Sequence, residues 1–304
     1  MNVILATPGV RQSGMSSSKM HLSIVVPAKD EAQSLAVLLP KLRSLHPAAE
    51  IIVVDDGSRD ATAEAARQGG AMVISHPYSM GNGAAIKAGV RAARGDLLVC
   101  MDADGQHAPE DIARLLEQHA QGYDMVVGAR AGVSHASLGR YAANTLYNVL
   151  ASWMVGHRIP DLTSGFRAVD AARFREFLHL LPNGFSYPTT ITMAFFRAGY
   201  RVGYLQIQAN KRMGRASHIR TLRDGVRFLI IIFKIATLYS PLRIFLPISA
   251  LFFLTGLGYY IHTYLAHHQF TNMSALLFIT SVLIFLIGLV SEQITALLFA
   301  RQPP

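Results

Sequence analysis

Residues 97–107 read Leu-Leu-Val-Cys-Met-Asp-Ala-Asp-Gly-Gln-His. An apolar run stops at two carboxylates, Asp102 and Asp104, one residue apart, and the amide of Gln106 follows two residues later. The run has the character of a buried strand. Both acids therefore stand where a strand ends, the edge at which open α/β sheets bind ligands. Two carboxylates and an amide oxygen suit a hard divalent cation, Mg²⁺ or Mn²⁺, of the kind that shares its shell with substrate phosphates. His107 is read as a loop residue outside that shell, because hard cations take oxygen.

Three more polar clusters fall at element boundaries: Pro27-Ala28-Lys29-Asp30-Glu31, Asp55-Asp56-Gly57-Ser58, and Gly81-Asn82-Gly83 opening a helix. Each alone is a weak signal, since Asp-Gly is mostly a turn. No G-x-G-x-x-G follows the first strand, which argues against a dinucleotide fold. Together and in this order the clusters read as a nucleotide-sugar site. Carboxylates accept from base or ribose, a metal offsets the diphosphate, and N–H groups at the helix start add positive potential. Asp60 is read as a helix-cap residue.

These residues need elements to position them. Strands are predicted at Leu22–Val26, Glu50–Val54, Ala71–Ser75, Asp96–Met101, Asp124–Val127 and Val202–Gln206, with helices around Ala32–Ser44, Asp60–Gln68, Ala84–Ala93 and Pro109–Gln121. Short apolar strands alternating with helices imply a mostly parallel, covered sheet.

The chain of 304 residues is 51% hydrophobic and 15% charged, apolar for a soluble enzyme. From Gln208 to Arg243 there are eight Lys/Arg against one acid, which is most of the +9 net charge. Apolar residues interleave this block, so it points to a membrane surface or a phosphorylated lipid rather than nucleic acid. Ile244–Ala266 and Met273–Ser291 carry no Lys, Arg, Asp or Glu, and each is long enough to cross a bilayer. The basic block before the first span and Arg301 after the second place both ends in the cytoplasm. Ser217–Pro241 reads as a helix in the inner headgroup layer, broken from the first span by Pro241 and Pro247. Glu292, near the inner interface, takes either a snorkelling position or a contact to lipid or a partner helix. The single cysteine, Cys100, excludes a disulfide framework and reads as core. The first twenty residues lack the pattern of a secretory signal and read as a disordered tail.

Val25-Val26-Pro27-Ala28-Lys29-Asp30-Glu31, Val53-Val54-Asp55-Asp56-Gly57-Ser58-Arg59-Asp60 and Asp102-Ala103-Asp104-Gly105-Gln106 resemble glycosyltransferase family 2. Asp161-Leu162-Thr163-Ser164-Gly165-Phe166-Arg167, with the two spans, narrows the resemblance to polyprenyl-phosphate glycosyltransferases of the dolichyl-phosphate mannose synthase type. The motifs cover about residues 20–220. With the composition readings above, the resemblance divides the chain into a disordered tail over 1–20, a cytoplasmic GT-A type α/β catalytic domain over 21–215, an amphipathic interfacial segment over 216–242 and a two-helix transmembrane hairpin over 243–301.

It further implies a metal-dependent, inverting transfer from a UDP- or GDP-linked sugar to a polyprenyl phosphate at the cytoplasmic face of the inner membrane. Pro27, Ala28 and Glu31 would hold the nucleoside, with Asp56 and Asp55 reaching the base. Asp102, Asp104 and Gln106 would hold the metal, with Ala103 and Asn82 lining the donor site. Arg130, Arg140, Asn144 and Ser164 would face the acceptor phosphate or sugar, Asp104, Arg130 and Arg140 carrying the catalysis. Arg212 or Arg215 would close over the diphosphate. The chain departs from the family at Lys29-Asp30, where Tyr-Asn is usual, at Asn82 in place of Lys, and at Asn144 in place of a hydroxyl. Arg167 is read either as an ion-pair partner or as a substrate contact, and Tyr187 and Trp153 receive no role. The oligomeric state stays open, and a homo-oligomer is compatible with everything above. The rival readings are a transferase for a protein or polysaccharide acceptor and a non-catalytic carrier-lipid scaffold.

Overall fold

The computed structural model describes residues 21–130, 138–184, 186–208, 237 and 239–300, the side chains of 138–144 and 298–300 excepted. The disordered-tail reading and most of the interfacial segment lie outside these residues, as do Arg212 and Arg215.

Seven strands form one sheet in the order β3-β2-β1-β4-β6-β5-β7. They are β1 (Leu22–Ala28), β2 (Glu50–Asp55), β3 (Met72–Ser75), β4 (Leu97–Cys100), β5 (Met125–Arg130), β6 (Arg167–Asp170) and β7 (Val202–Ile207). All pairings are parallel except those of β6, which runs antiparallel between β4 and β5. Sequence reasoning missed β6. It is four residues long and opens on a charged Arg, so it carries no period-two signal.

The chain winds outward from β1 to β3 and returns to the other side of β1 as β4, so the β1/β4 boundary is the topological switch point. Because β6 is antiparallel, the loop that enters it at Arg167 arrives at the same edge where β4 leaves at Cys100. That single reversal brings Asp161–Phe166 to the ends of β4 and β5.

Helices cover both faces: α1 (Ala32–Leu45), α2 (Thr62–Gln68), α3 (Asn82–Ala92), α4 (Asp111–Ala120), α5 (Leu138–Val155), α6 (Ala171–Glu176) and α7 (Tyr187–Arg197). Alternation along β1 sends Ile24 and Val26 into one core with Leu35, Leu39 and Ile112, and Val25 into the other with Ile86, Phe174 and Phe195. Cys100 lies in the second core, and burial pushes its thiol up to about 12, so it stays protonated.

Two long helices follow, α8 (Pro241–His267) and α9 (Asn272–Ala300). Both are long and apolar enough to cross a membrane, and only 11% and 17% of their most apolar windows is buried. Pro241 starts α8 rather than ending a separate element, and Pro247 sits inside it without breaking it. A proline in the first turn is tolerated because the N–H it lacks has no partner there. The pair is pinned by a reciprocal exchange: Ser249 Oγ donates to Ser281 O and Ser281 Oγ to Ser249 O, each at 2.9 Å.

Candidate active site

The first two polar clusters are stitched into one wall. Asp30 takes the left-handed conformation (φ 55°), which turns the chain from β1 into α1. Its N–H donates to Ser58 Oγ (3.0 Å), and Arg59 N–H donates back to Asp30 Oδ1 (2.8 Å). Glu31 N–H reaches Thr62 Oγ1 at 2.9 Å. Asp60 accepts from the N–H groups of Ala32 (3.2 Å) and Thr62 (3.0 Å), the first residues of α1 and α2, so one carboxylate serves two helix starts. Pro27 and Ala28 are buried at the end of β1, and Asp55 is buried beside them, its Oδ1 accepting from Ser58 N–H.

Asp56 does something other than reach a base. Oδ1 accepts from His76 Nδ1 (2.9 Å) and Met80 N–H (2.7 Å), and Oδ2 from Ser79 Oγ (2.7 Å) and Gly81 N–H (2.9 Å). Both oxygens are committed, so Asp56 anchors the 76–81 loop. Burial alone would raise its pKa, but these donors outweigh that and bring it down to about 2.

The start of α3 also differs from the sequence reading. The N–H groups of Gly83 and Ala84 donate to the carbonyls of Gly184 (3.2 Å) and Asn183 (3.1 Å). Their capacity to bind a phosphate is spent on this segment. A Cβ on Gly83 would lie 2.1 Å from Pro182 O, so the close approach requires glycine. Asn82 stands at this junction as the first residue of α3.

Asp102 and Asp104 follow β4 and are half-buried, as is Gln106, while Ala103 between them is 2% exposed and packs into the core. Only the backbone of Ala103 can face a ligand. Asp104 Oδ1 accepts from Gln106 N–H (3.1 Å), a local turn that holds the amide residue beside the acids. Gly165 admits Asp102: a Cβ there would stand 3.1 Å from Asp102 Oδ2 and from Tyr187 Oη. His107 is buried, stacks on Phe166 at 4.9 Å, and its Nδ1 accepts from Asp102 N–H (3.4 Å). Burial lowers its pKa to about 4, so at neutral pH it is an uncharged acceptor supporting the acidic turn. The donor set of two carboxylates and an amide, gathered by one turn at the strand edge, fits a hard oxygen-seeking cation.

Arg130 ends β5 at the same edge. Its Nε and Nη2 donate to Asp161 Oδ2 (2.8 Å) and Oδ1 (3.1 Å), and Nη2 also to Thr163 Oγ1 (2.7 Å). This is a fork-on-fork pair. Burial works against the guanidinium charge, but Asp161, with Asp102 and Asp104 within electrostatic reach, raises its pKa. Burial would raise the Asp161 carboxyl, and Arg130 outweighs it and holds it low. Sequence reading placed Asp161 in a motif without giving it a role. The pairing spans 31 residues and has no local signature, because Asp161 lies in the loop before β6, a strand too short to show in the sequence.

Ser164 turns away from any acceptor. It is 1% exposed, donates to Gly128 O (2.6 Å) and accepts from Phe166 N–H (3.3 Å), so it ties the loop to β5. Arg167 is fully buried and donates to Pro188 O and Thr192 Oγ1 (both 3.3 Å) and to Ser164 O, which makes it a brace for the loop rather than a substrate contact. Arg140 and Asn144 share one side of α5, but their side chains lie outside the described residues.

Known proteins are similar to this chain in sequence and in fold. The undecaprenyl-phosphate 4-deoxy-4-formamido-L-arabinose transferase of Pseudomonas paraeruginosa is 38% identical over 189 residues, 55% of each chain. That of Pseudomonas fluorescens SBW25 is 37% identical over 190 residues, 56% of this chain and 55% of its own. The chain thus spans about half the length of these curated relatives. Among solved structures, glucosyl-3-phosphoglycerate synthase of Mycobacterium tuberculosis with Mn²⁺, uridine diphosphate and glucosyl-3-phosphoglycerate has a TM-score of 0.59 at 20% identity, covering 75% of this chain and 85% of that one. The same enzyme with Mn²⁺, uridine-diphosphate-glucose and phosphoglyceric acid gives 0.59 at 20%, covering 72% and 79%. This likeness is one of fold. Residues 240–297 match the GtrB C-terminal hairpin. Residues 23–178, just over half of the chain, match glycosyl transferase family 2, and the chain belongs to that family.

Proposed function

We propose that this protein transfers a sugar from a nucleoside-diphosphate sugar to a polyprenyl phosphate at a membrane surface. The observation that carries the reading is the meeting, at one sheet edge, of the Asp102/Asp104 turn with the Arg130–Asp161 pair, in a chain that ends in two lipid-length helices. The curated relatives are named for transfer to undecaprenyl phosphate.

The acceptor sets the chemistry. A phosphate monoester has a second pKa near 6 and is largely dianionic at pH 7. Its oxygen needs little or no general base, unlike a hydroxyl. The obstacle is repulsion: two like charges about 4 Å apart repel by about 4 kcal/mol at an effective dielectric near 20. Arg130 would offset the acceptor charge, and Arg140 and Asn144 of α5 would assist it. Asp161 holds the Arg130 fork in place beforehand, so its orientation costs nothing during reaction. Asp102, Asp104 and Gln106 would hold Mg²⁺ or Mn²⁺, which supplies positive charge to the diphosphate. The phosphate oxygen forms a bond to the anomeric carbon from the side opposite the diphosphate. The carbon–oxygen bond to the diphosphate breaks, the nucleoside diphosphate leaves, and the configuration inverts. Pro27, Ala28, Asp55 and Glu31 form the wall on which the nucleoside would rest, and Arg212 or Arg215 would cover the departing diphosphate.

Membrane placement is supported by exposed apolar surface on α8 and α9, and by a stripe on α5. Leu146 (60% exposed), Val149 (59%) and Trp153 (50%) recur at helical spacing on one side of that helix. An exposed tryptophan in such a stripe suits the headgroup layer. We place the catalytic layer and both termini on the cytoplasmic side, from the charge bias of the sequence.

The test is to incubate membranes carrying the full chain with labelled UDP- and GDP-sugars and either undecaprenyl or dolichyl phosphate. Lipid-extractable label from one pairing, lost with chelator, is the expected outcome and names donor and acceptor together. No transfer with any pairing overturns the reading.

A further inference from the structure

Glu292 is an acid near the end of an apolar helix, and the activity proposed above gives it nothing to do. Its surroundings do. Oε1 accepts from Arg197 Nη2 at 3.0 Å, and Oε2 accepts from Leu242 N–H at 3.3 Å. Leu242 follows Pro241 in the first turn of α8, where backbone N–H groups have no partner within the helix. The Glu292 carboxylate of α9 therefore caps α8 across the hairpin while pairing with the last residue of α7. Arg197 also donates to Tyr239 O, and Tyr239 Oη donates to Thr190 O (2.8 Å) inside α7. Tyr147 of α5 joins the same seam through Thr189 Oγ1 (3.0 Å). One residue into α8 from Leu242, Arg243 donates to the carbonyls of Trp153 (2.9 Å) and Met154 at the C-terminal end of α5. A cation there meets the negative end of the helix dipole.

Two charged groups of the hairpin thus grip two helices of the catalytic layer. One of those helices, α5, bears Arg140 and Asn144 at its other end. We infer that Glu292, Arg197 and Arg243 form a clasp that fixes the height and tilt of the active-site edge over the bilayer. They are positioning residues: they touch neither donor nor acceptor, and they govern how readily the site meets a phosphate held at the membrane surface. Side chains of Arg197 and Glu292 are 22% and 28% exposed, so the pair is shielded enough to matter and wet enough to form without a large desolvation penalty.

The inference rests on the proposed function for the bilayer and the membrane-held phosphate, while the contact network itself is read independently of turnover. The full chain, reconstituted in bilayers, is compared with Glu292→Ala, Arg197→Ala and the double variant. Transfer is measured to a long-chain polyprenyl phosphate in the bilayer and to a short-chain, water-soluble one. For each single variant KM toward the bilayer acceptor should rise about tenfold, while kcat and KM toward the soluble acceptor stay within about twofold. The double variant should lose less than the sum of the two single losses, because both break the Arg197–Glu292 contact while each also removes one contact of its own. Equal loss on both acceptors, additive losses, or no change on either would overturn the clasp. Amide hydrogen exchange over residues 190–197 and 241–245 provides a readout independent of turnover. It should accelerate in Glu292→Ala, and unchanged exchange contradicts the inference. If the unaltered chain transfers to neither acceptor while exchange still accelerates, the functional reading falls and the clasp stands as a link between the hairpin and α7 alone.

Discussion

Asp161 is the residue that most changes the picture of the site. Asp161→Asn keeps the shape but removes the charge that orients Arg130, and kcat/KM for the lipid phosphate should fall by about 10–100-fold while donor affinity holds. Steady-state kinetics with each substrate varied in turn will check this, and a loss confined to donor KM would contradict it. Arg130→Ala leaves Asp161, only 8% exposed, without its main partner, and should also cost about 2 kcal/mol of stability, moderated because Arg130 itself is about a third exposed. Asp102→Ala or Asp104→Ala, assayed with saturating Mn²⁺, should lower activity at least about a hundredfold if these acids hold the metal. Full activity would remove them from that role. Asp56 gives a pH prediction. Its folded pKa lies near 2, below the ordinary value of 3.8, so its stabilisation is present above pH 4 and lost as pH falls toward 2. The amount is about 2 kcal/mol, and Asp56→Asn should flatten the acid limb of a stability–pH curve by about that much.

At the scale of elements, the parallel half of the sheet was legible because its strands are continuous apolar runs, each ending in a polar cluster. The sequence reading of Glu50–Val54 as a strand differs from β2 by one residue. What stayed hidden depends on distant pairing. The short β6 is held by neighbours on both sides rather than by its own pattern, and α7, buried along most of its length, has no polar face to show a period. The role of Gly81-Asn82-Gly83 was misread for a related reason. A glycine-flanked helix start looks the same whether it receives a phosphate or a backbone carbonyl, and here the carbonyls of 183–184 fill it. Gly83→Ala should therefore destabilise the fold by about 1–3 kcal/mol through overpacking against Pro182, with α3 displaced. A chemical denaturation curve will show it, and an unaltered midpoint would mean that the segment yields freely. Asp56 and Ser164 were likewise identified as chemically important positions, but the fold spends their oxygens on holding loops.

For the whole molecule, one chain carries both the Asp102/Asp104 edge that we propose binds the donor and two helices long and apolar enough to cross a membrane. The reversal of β6 delivers Asp161–Phe166 to the strand ends, α5 presents an apolar stripe, and α8 and α9 supply the apolar surface that a bilayer would cover. The account's central claim is that the nucleophile is a phosphate carried by a membrane lipid. The most direct measurement uses the purified full chain in bilayers containing either a polyprenyl phosphate or the matching polyprenol, with one labelled donor sugar and Mn²⁺. Label should enter the lipid phase with the phosphate alone and disappear when the metal is chelated. Equal labelling of the free polyprenol, or labelling that persists without metal, would contradict the account.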